Sequence, residues 1–265
     1  MFVWLALWLS VVDVQAASSK AETPAESYER GLKLLRRGST TKALEVFNRL
    51  RNFHRDDPVS LKAQLAIADT YFKKGDFELA RVEYEEFAAY HPRHPDMDFV
   101  TWRLGQCVWK DAPEFAGRDQ GLTRSALNAW AGFATRYPES TYAEDVAKAV
   151  EKGRGRLAAK ELFVARFYAR KDAWGAVARR TESVVERYAD TDSDEEARAL
   201  LAASLHAWGE VEGAQQVRTE LAKRHPDGRW IGWTDRQLRC PPGVRPVEPI
   251  FVRPYRVRAQ DLAGF

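Results

Sequence analysis

The chain has 265 residues, 45% of them apolar and 30% charged, with a net charge of +3 at neutral pH. That apolar fraction excludes an intrinsically disordered chain, and so small a charge leaves no electrostatic footprint for nucleic acid. Two cysteines, Cys107 and Cys240, are too few and too far apart for a disulfide framework or a zinc knuckle, though they permit one disulfide.

The first segment, MFVWLALWLSVV, is an apolar run too short to cross a bilayer, followed by Val14-Gln15-Ala16 and polar SSKAETPAE. It reads as a signal peptide over residues 1–16 with cleavage after Ala16, although no basic residue precedes the run. Residues 17–26 read as a flexible lead-in. No later segment approaches membrane-spanning length, so the mature chain is expected to be soluble or peripheral.

Five tracts then recur in one register: GSTTKALEVFNRL (38–50), GDFELARVEYEEFAAYHP (75–92), TRSALNAWAGFATRYP (123–138), DAWGAVARRTESVVERYA (172–189) and GEVEGAQQVRTELAKRHP (209–226). They place Ala43, Ala80, Ala126, Val177 and Ala214 at equivalent positions, spaced by 37, 46, 51 and 37 residues. Upstream, Gly31, Ala68, Gly105, Ala165 and Ala202 occupy the small position where a first helix must approach its partner closely. Small residues at helix crossings, large ones between them and Pro after the second helix make the tetratricopeptide pattern. The expected fold is all-α, a tetratricopeptide-repeat superhelix of about five helical hairpins with a concave face, because one hairpin cannot bury its own apolar stripe.

Three segments depart from the period. KDAPEFAGRDQG (110–121) lengthens the turn inside the third repeat. Residues 141–171 contain no Pro and predict one long helix, weakened at Gly153 and Gly155 by roughly 1 kcal/mol each, joining repeats 1–3 (27–140) to repeats 4–5 (141–228). Its last part, in KELFVARFYARKDAW (160–174), serves as the inner helix of the fourth repeat, with Phe167 and Tyr168 expected in the core. The tail, residues 229–265, has seven Arg against three acids and five Pro, and reads as a basic extended arm. Trp230, Ile231 and Trp233 at its start are expected to cap the last repeat.

The tracts AAKELFVARFYARKDAWGAVARRTESVVERYADT, H-P-x-H-P-D at 91–96 and the inserted RDQ at 118–120 resemble the BamD family of outer-membrane protein assembly factors, from about Tyr28 to Gly228. The resemblance implies a non-enzymatic periplasmic scaffold at the inner face of the outer membrane. Its implied partners are the periplasmic domains of the β-barrel insertase, other subunits of the assembly machinery, and unfolded outer-membrane proteins. It implies a substrate groove in the N-terminal repeats and an insertase contact in the C-terminal ones. Family members carry an acylated Cys after the signal; here no Cys precedes Cys107, so peripheral association through partners is expected.

Concave-side positions of the first three repeats are Tyr28, Lys62, Leu65, Asp69, Phe72, Lys73, Phe99, Trp102, Gln106 and Trp109. Aromatics beside Lys and Gln suit a peptide ending in an aromatic residue. For Phe99, Trp102 and Trp109 an equal alternative is packing under the 110–121 insertion. By the resemblance Arg180, with neighbouring Arg179, is a candidate contact to an acidic residue of the insertase; the alternative is a solvated face shared with Glu182 and Glu186.

Nothing in the pattern marks chemistry. There is no Gly-rich phosphate loop, nucleophile elbow or paired-carboxylate site, so no enzyme activity, metal or cofactor is expected. His91, His94 and Asp96 lack the further ligands of a closed zinc site and, with Pro92 and Pro95, read as a turn. The rival function is a periplasmic adaptor for cell-envelope or division proteins.

Overall fold

The computed structural model describes residues 22–55 and 57–241; the signal-peptide reading, residues 17–21 of the lead-in and the tail from residue 242 lie outside them. Among the described residues every regular element is helical. The chain divides into two compact units between Thr70 and Tyr71, inside the third helix. The first unit holds α1 (Pro24–Arg36), α2 (Thr40–Phe53) and most of α3 (Pro58–Lys74). The second continues with α4 (Phe77–Tyr90), α5 (Met97–Asp111), α6 (Gly121–Trp130) and the short α7 (Phe133–Arg136). It is completed by α8 (Ala143–Ala169), α9 (Trp174–Arg187), α10 (Asp194–Ala207), α11 (Val211–Arg224) and α12 (Ile231–Leu238).

The expected register is present residue for residue. Ala43, Ala80, Ala126, Val177 and Ala214 are all fully buried. So are Ala68, Ala165 and Ala202, while Gly31 and Gly105 are buried in α1 and α5. The reason is close approach. A Cβ on Gly31 would lie 2.4 Å from the Phe47 ring, and one on Gly105 only 2.1 Å from the Trp130 indole. Phe47, Leu50, Tyr84 and Phe87 fill the space between, each worth about 1.5–3 kcal/mol of burial.

Two turns repeat along the chain. In four hairpins the first helix ends on a left-handed residue, Gly38, Gly75, Asp172 or Gly209. The next amide reaches back five residues: Ser39 to Leu34, Asp76 to Tyr71, Ala173 to Tyr168 and Glu210 to Leu205, all at 2.9–3.1 Å. This is the Schellman arrangement, and the RDQ insertion replaces it in the third hairpin alone. Every second helix ends on a ring residue: His54, His91, Tyr137, Tyr188 or His225. Each donates its amide to the carbonyl four residues back and accepts one from three residues on. His91 is therefore a terminator equivalent to two tyrosines, and both His91 and His94 lie 5.1 Å from the Phe87 ring.

Helix α8 is 27 residues long, about 40 Å, and serves two cores. Its first half packs Val146, Ala149 and Val150 with Ala126, Trp130 and Phe133 of α6 and α7. Its second half packs Ala158, Leu162, Ala165 and Ala169 with Val177 and Val184 of α9 and with α10. Gly153 stands at the changeover, where a Cβ would lie 2.7 Å from Leu127.

Two expectations need correction. Phe167 is 47% exposed rather than core, because the α8–α9 seam takes the i, i+4 residues Ala165 and Ala169. Phe163 on its exposed side meets Phe115 of the insertion at 5.6 Å, so the insertion packs on α8. The tail is not extended from residue 229: Ile231–Leu238 forms α12, which buries Trp230 and Trp233 at 5.4 Å from each other against α10. That burial is the capping the last hairpin requires. Cys107 and Cys240 are both free thiols.

Candidate functional site

In the first unit Tyr28 packs at 5.7 Å on Phe47. Burial foremost, then Glu29 and Asp69, pushes its hydroxyl above the ordinary tyrosine value. Asp69 is half-buried, as is Leu65, and Lys62 is exposed on the same helix.

In the second unit four of the candidate residues converge on a side chain that the concave-face positions omitted. The Arg103 guanidinium carbon lies 4.4 Å from the Phe72 ring centre, 4.6 Å from Trp102 and 5.2 Å from Phe99. Its Nη1 donates to Gln106 Oε1 at 2.9 Å. Three ring faces around one cation form a cation–π nest. Trp102 is in turn stacked on Tyr142 at 4.6 Å and 17°, and Phe99 meets Tyr84 edge-on at 6.2 Å. Local spacing could have found it: Phe99 and Arg103 are four apart on α5. Lys73 is exposed, and Trp109 stands apart, covered by Arg156 at 3.9 Å and facing Trp130 at 6.0 Å. Burial is the largest influence on Arg156 and lowers its pKa, while Glu114 at 3.0 Å opposes the shift.

A cleft of about 330 Å³ opens between α4 and α6 over α5. Its rim holds Arg81 between Glu78 at 3.1 Å and Glu85 at 2.6 Å. Cys107 is in its lining, and burial pushes that thiol up to about 12. A thiol so raised stays protonated at neutral pH and is a poor nucleophile.

Arg179 and Arg180 line a second, more polar cleft of about 280 Å³ between α8 and α9. Glu161, Tyr168, Ala176, Ser183 and Arg187 complete it. Arg180 Nη1 donates to Glu161 Oε2 at 2.9 Å, so its partner is on α8 and not among the α9 carboxylates Glu182 and Glu186. Arg187 bonds Ser183, and Arg179 has no ion-pair partner among the described residues. Three cations against one carboxylate suit an anionic segment.

Behind this cleft the C-terminal helices are tied by charged bonds. Arg166 grips Glu196 at 2.6 and 2.5 Å, and Arg154 grips Asp190 at 2.9 and 2.6 Å. Asp194, fully buried at the start of α10, receives Arg198 at 2.9 Å, His225 at 2.9 Å and Arg224 at 3.2 Å.

Residues 20–223 match the family described as YfiO, outer membrane lipoprotein. The chain is similar to the outer membrane protein assembly factor BamD of several bacteria. It is 26% identical over 229 residues to that of Neisseria meningitidis serogroup A, covering 83% of this chain and 86% of the relative. Identity is 26% over 258 residues to the Caulobacter vibrioides protein, covering 94% and 84%. With Vibrio cholerae it is 28% over 197 residues, covering 71% and 80%. A weaker structural likeness, TM-score 0.39 at 12% identity over 77% of this chain and 94% of the other, is to TPR-like repeats from Podosopora anserina.

Proposed function

The chain belongs to the outer membrane lipoprotein family YfiO, and from that premise we propose that it is a non-enzymatic assembly factor for outer-membrane β-barrel proteins. The observation that carries the reading is the match of the repeat array to chains named as such assembly factors over most of their length. It acts by holding other polypeptides at the periplasmic face of the outer membrane. No helix among the described residues is long and apolar enough to cross a membrane.

Two surfaces divide the work in this reading. Phe72, Phe99, Trp102 and Gln106 around Arg103 receive the end of an unfolded barrel strand: an aromatic side chain joins the rings, and a carboxylate meets the guanidinium. Tyr28, Lys62 and Asp69 of the first unit, with Lys73 and Trp109 of the second, are further contacts for such chains. Arg179 and Arg180 contact an acidic residue in the periplasmic domains of the insertase, and other machinery subunits bind elsewhere on the array.

Photo-crosslinking in cells from positions 72 and 180 tests this division. Barrel precursors captured at 72 and insertase captured at 180 are expected. Capture of division or peptidoglycan proteins at both would replace the reading with an envelope-adaptor role.

A further inference from the structure

The Arg180 ion pair differs from three others at this end of the molecule. Arg154, Arg166 and Arg218 each present two nitrogens to both oxygens of their carboxylates. Arg180 commits one N–H, from Nη1, to one oxygen of Glu161 at 2.9 Å. A guanidinium carries five N–H donors, so four remain for the cleft. Both partners also keep access to water: the Arg180 side chain is 46% exposed and Glu161 24%. By contrast Glu196, which Arg166 holds with two bonds, is 6% exposed.

From this we infer that Glu161 is a built-in competitor for Arg180, an internal carboxylate that holds the guanidinium until a carboxylate of the partner displaces it. The inference rests on the reading of Arg180 as an insertase contact. An incoming Asp or Glu can take the two-bond, fork-to-fork geometry that Glu161 does not use, and such pairs are stronger than single-bonded ones. Arg179, without an ion-pair partner of its own, adds attraction for the same segment. Glu161 thus biases the cleft: an acidic segment displaces it more readily than a neutral or basic one. An exposed pair is worth about 0.2–1 kcal/mol, so removing the competitor should tighten binding by at most about fivefold.

The test is a double-mutant cycle on the full chain, titrated with purified periplasmic domains of the insertase. E161Q should bind about two- to fivefold more tightly than the parent, R180Q more weakly, and the double variant like R180Q. Melting curves of all four proteins check that none has lost its fold. Equal or weaker binding by E161Q, with R180Q still weakened, overturns the competitor while leaving the contact intact. A gain from E161Q that persists beside R180Q also overturns it, since Glu161 would then act only as a repelling charge. Unchanged binding by R180Q removes the contact and the competitor together.

Discussion

The surroundings of α5 and the surroundings of α10, both in the second unit, are held together by different physics. At α5 cohesion is aromatic: Phe72, Phe99, Trp102, Tyr142 and the Arg103 cation meet face to edge and face to face. At α10 an apolar core is joined by ionic bonds, with Asp194 and Glu196 buried and gripped by arginines from α8, α10 and α11. Ring contacts have broad energy minima, so a ring from a bound peptide can take the place of one already there. Charged hydrogen bonds are directional and a buried charge left alone is costly, so the ionic region tolerates no such exchange.

The sharpest way to break this contrast is at Asp194. Replacing it with Ala strands Arg198, itself 8% exposed, and should lower unfolding free energy by about 3–5 kcal/mol in urea titrations. A loss below 1 kcal/mol would mean that the ionic region is no more demanding than a surface. Next is the helix crossing beneath the aromatic nest. Gly105→Ala drives a methyl into Trp130, whose Nε1 donates to the Trp102 carbonyl at 3.1 Å, and should cost about 1–3 kcal/mol in thermal melts. Gly155→Ala, where nothing lies within 4 Å, should instead stabilise by up to about 1 kcal/mol.

Function provides a third comparison. Arg103→Gln removes the cation from the nest and should weaken binding of a synthetic barrel C-terminal peptide by roughly tenfold, measured by fluorescence titration. The smallest effect is acid dependence. Arg218 holds the Asp235 carboxyl below its ordinary value, and Arg154 does the same for Asp190. Their contribution is therefore whole above the unfolded value of about 3.9 and fades as pH falls through the lowered folded values. Asp235→Asn should destabilise by at most about 1 kcal/mol at pH 7, the pair being partly solvated, and converge on the parent as pH falls through the lowered folded value.

How much of this was legible in the residues follows from distance along the chain. The small positions, the long α8 and the hairpin glycines Gly38, Gly75 and Gly209 were readable because helix periodicity and left-handed turns are local. Asp172 was readable as the turn residue only through the register, five residues before Val177, because aspartate by itself does not demand a left-handed conformation as readily as glycine. The concave-face rule assembled Phe72, Phe99, Trp102 and Gln106 but passed over Arg103, because facing was judged by position and not by what a long side chain reaches. The carboxylate that Arg180 meets was not legible: Glu182 and Glu186 are near in sequence, whereas Glu161 is nineteen residues away.

The order of letters alone therefore determined an all-helical repeat array and where each hairpin crosses, since burial at period 3.6 and the steric demands of glycine act within a few residues. Only the tertiary structure decided which cation meets which anion. Arg166 with Glu196, Arg224 with Asp194 and Arg154 with Asp190 join residues 30 to 36 positions apart. Coulomb attraction and hydrogen bonding depend on where side chains end in space, and the packing of one helix on the next sets that.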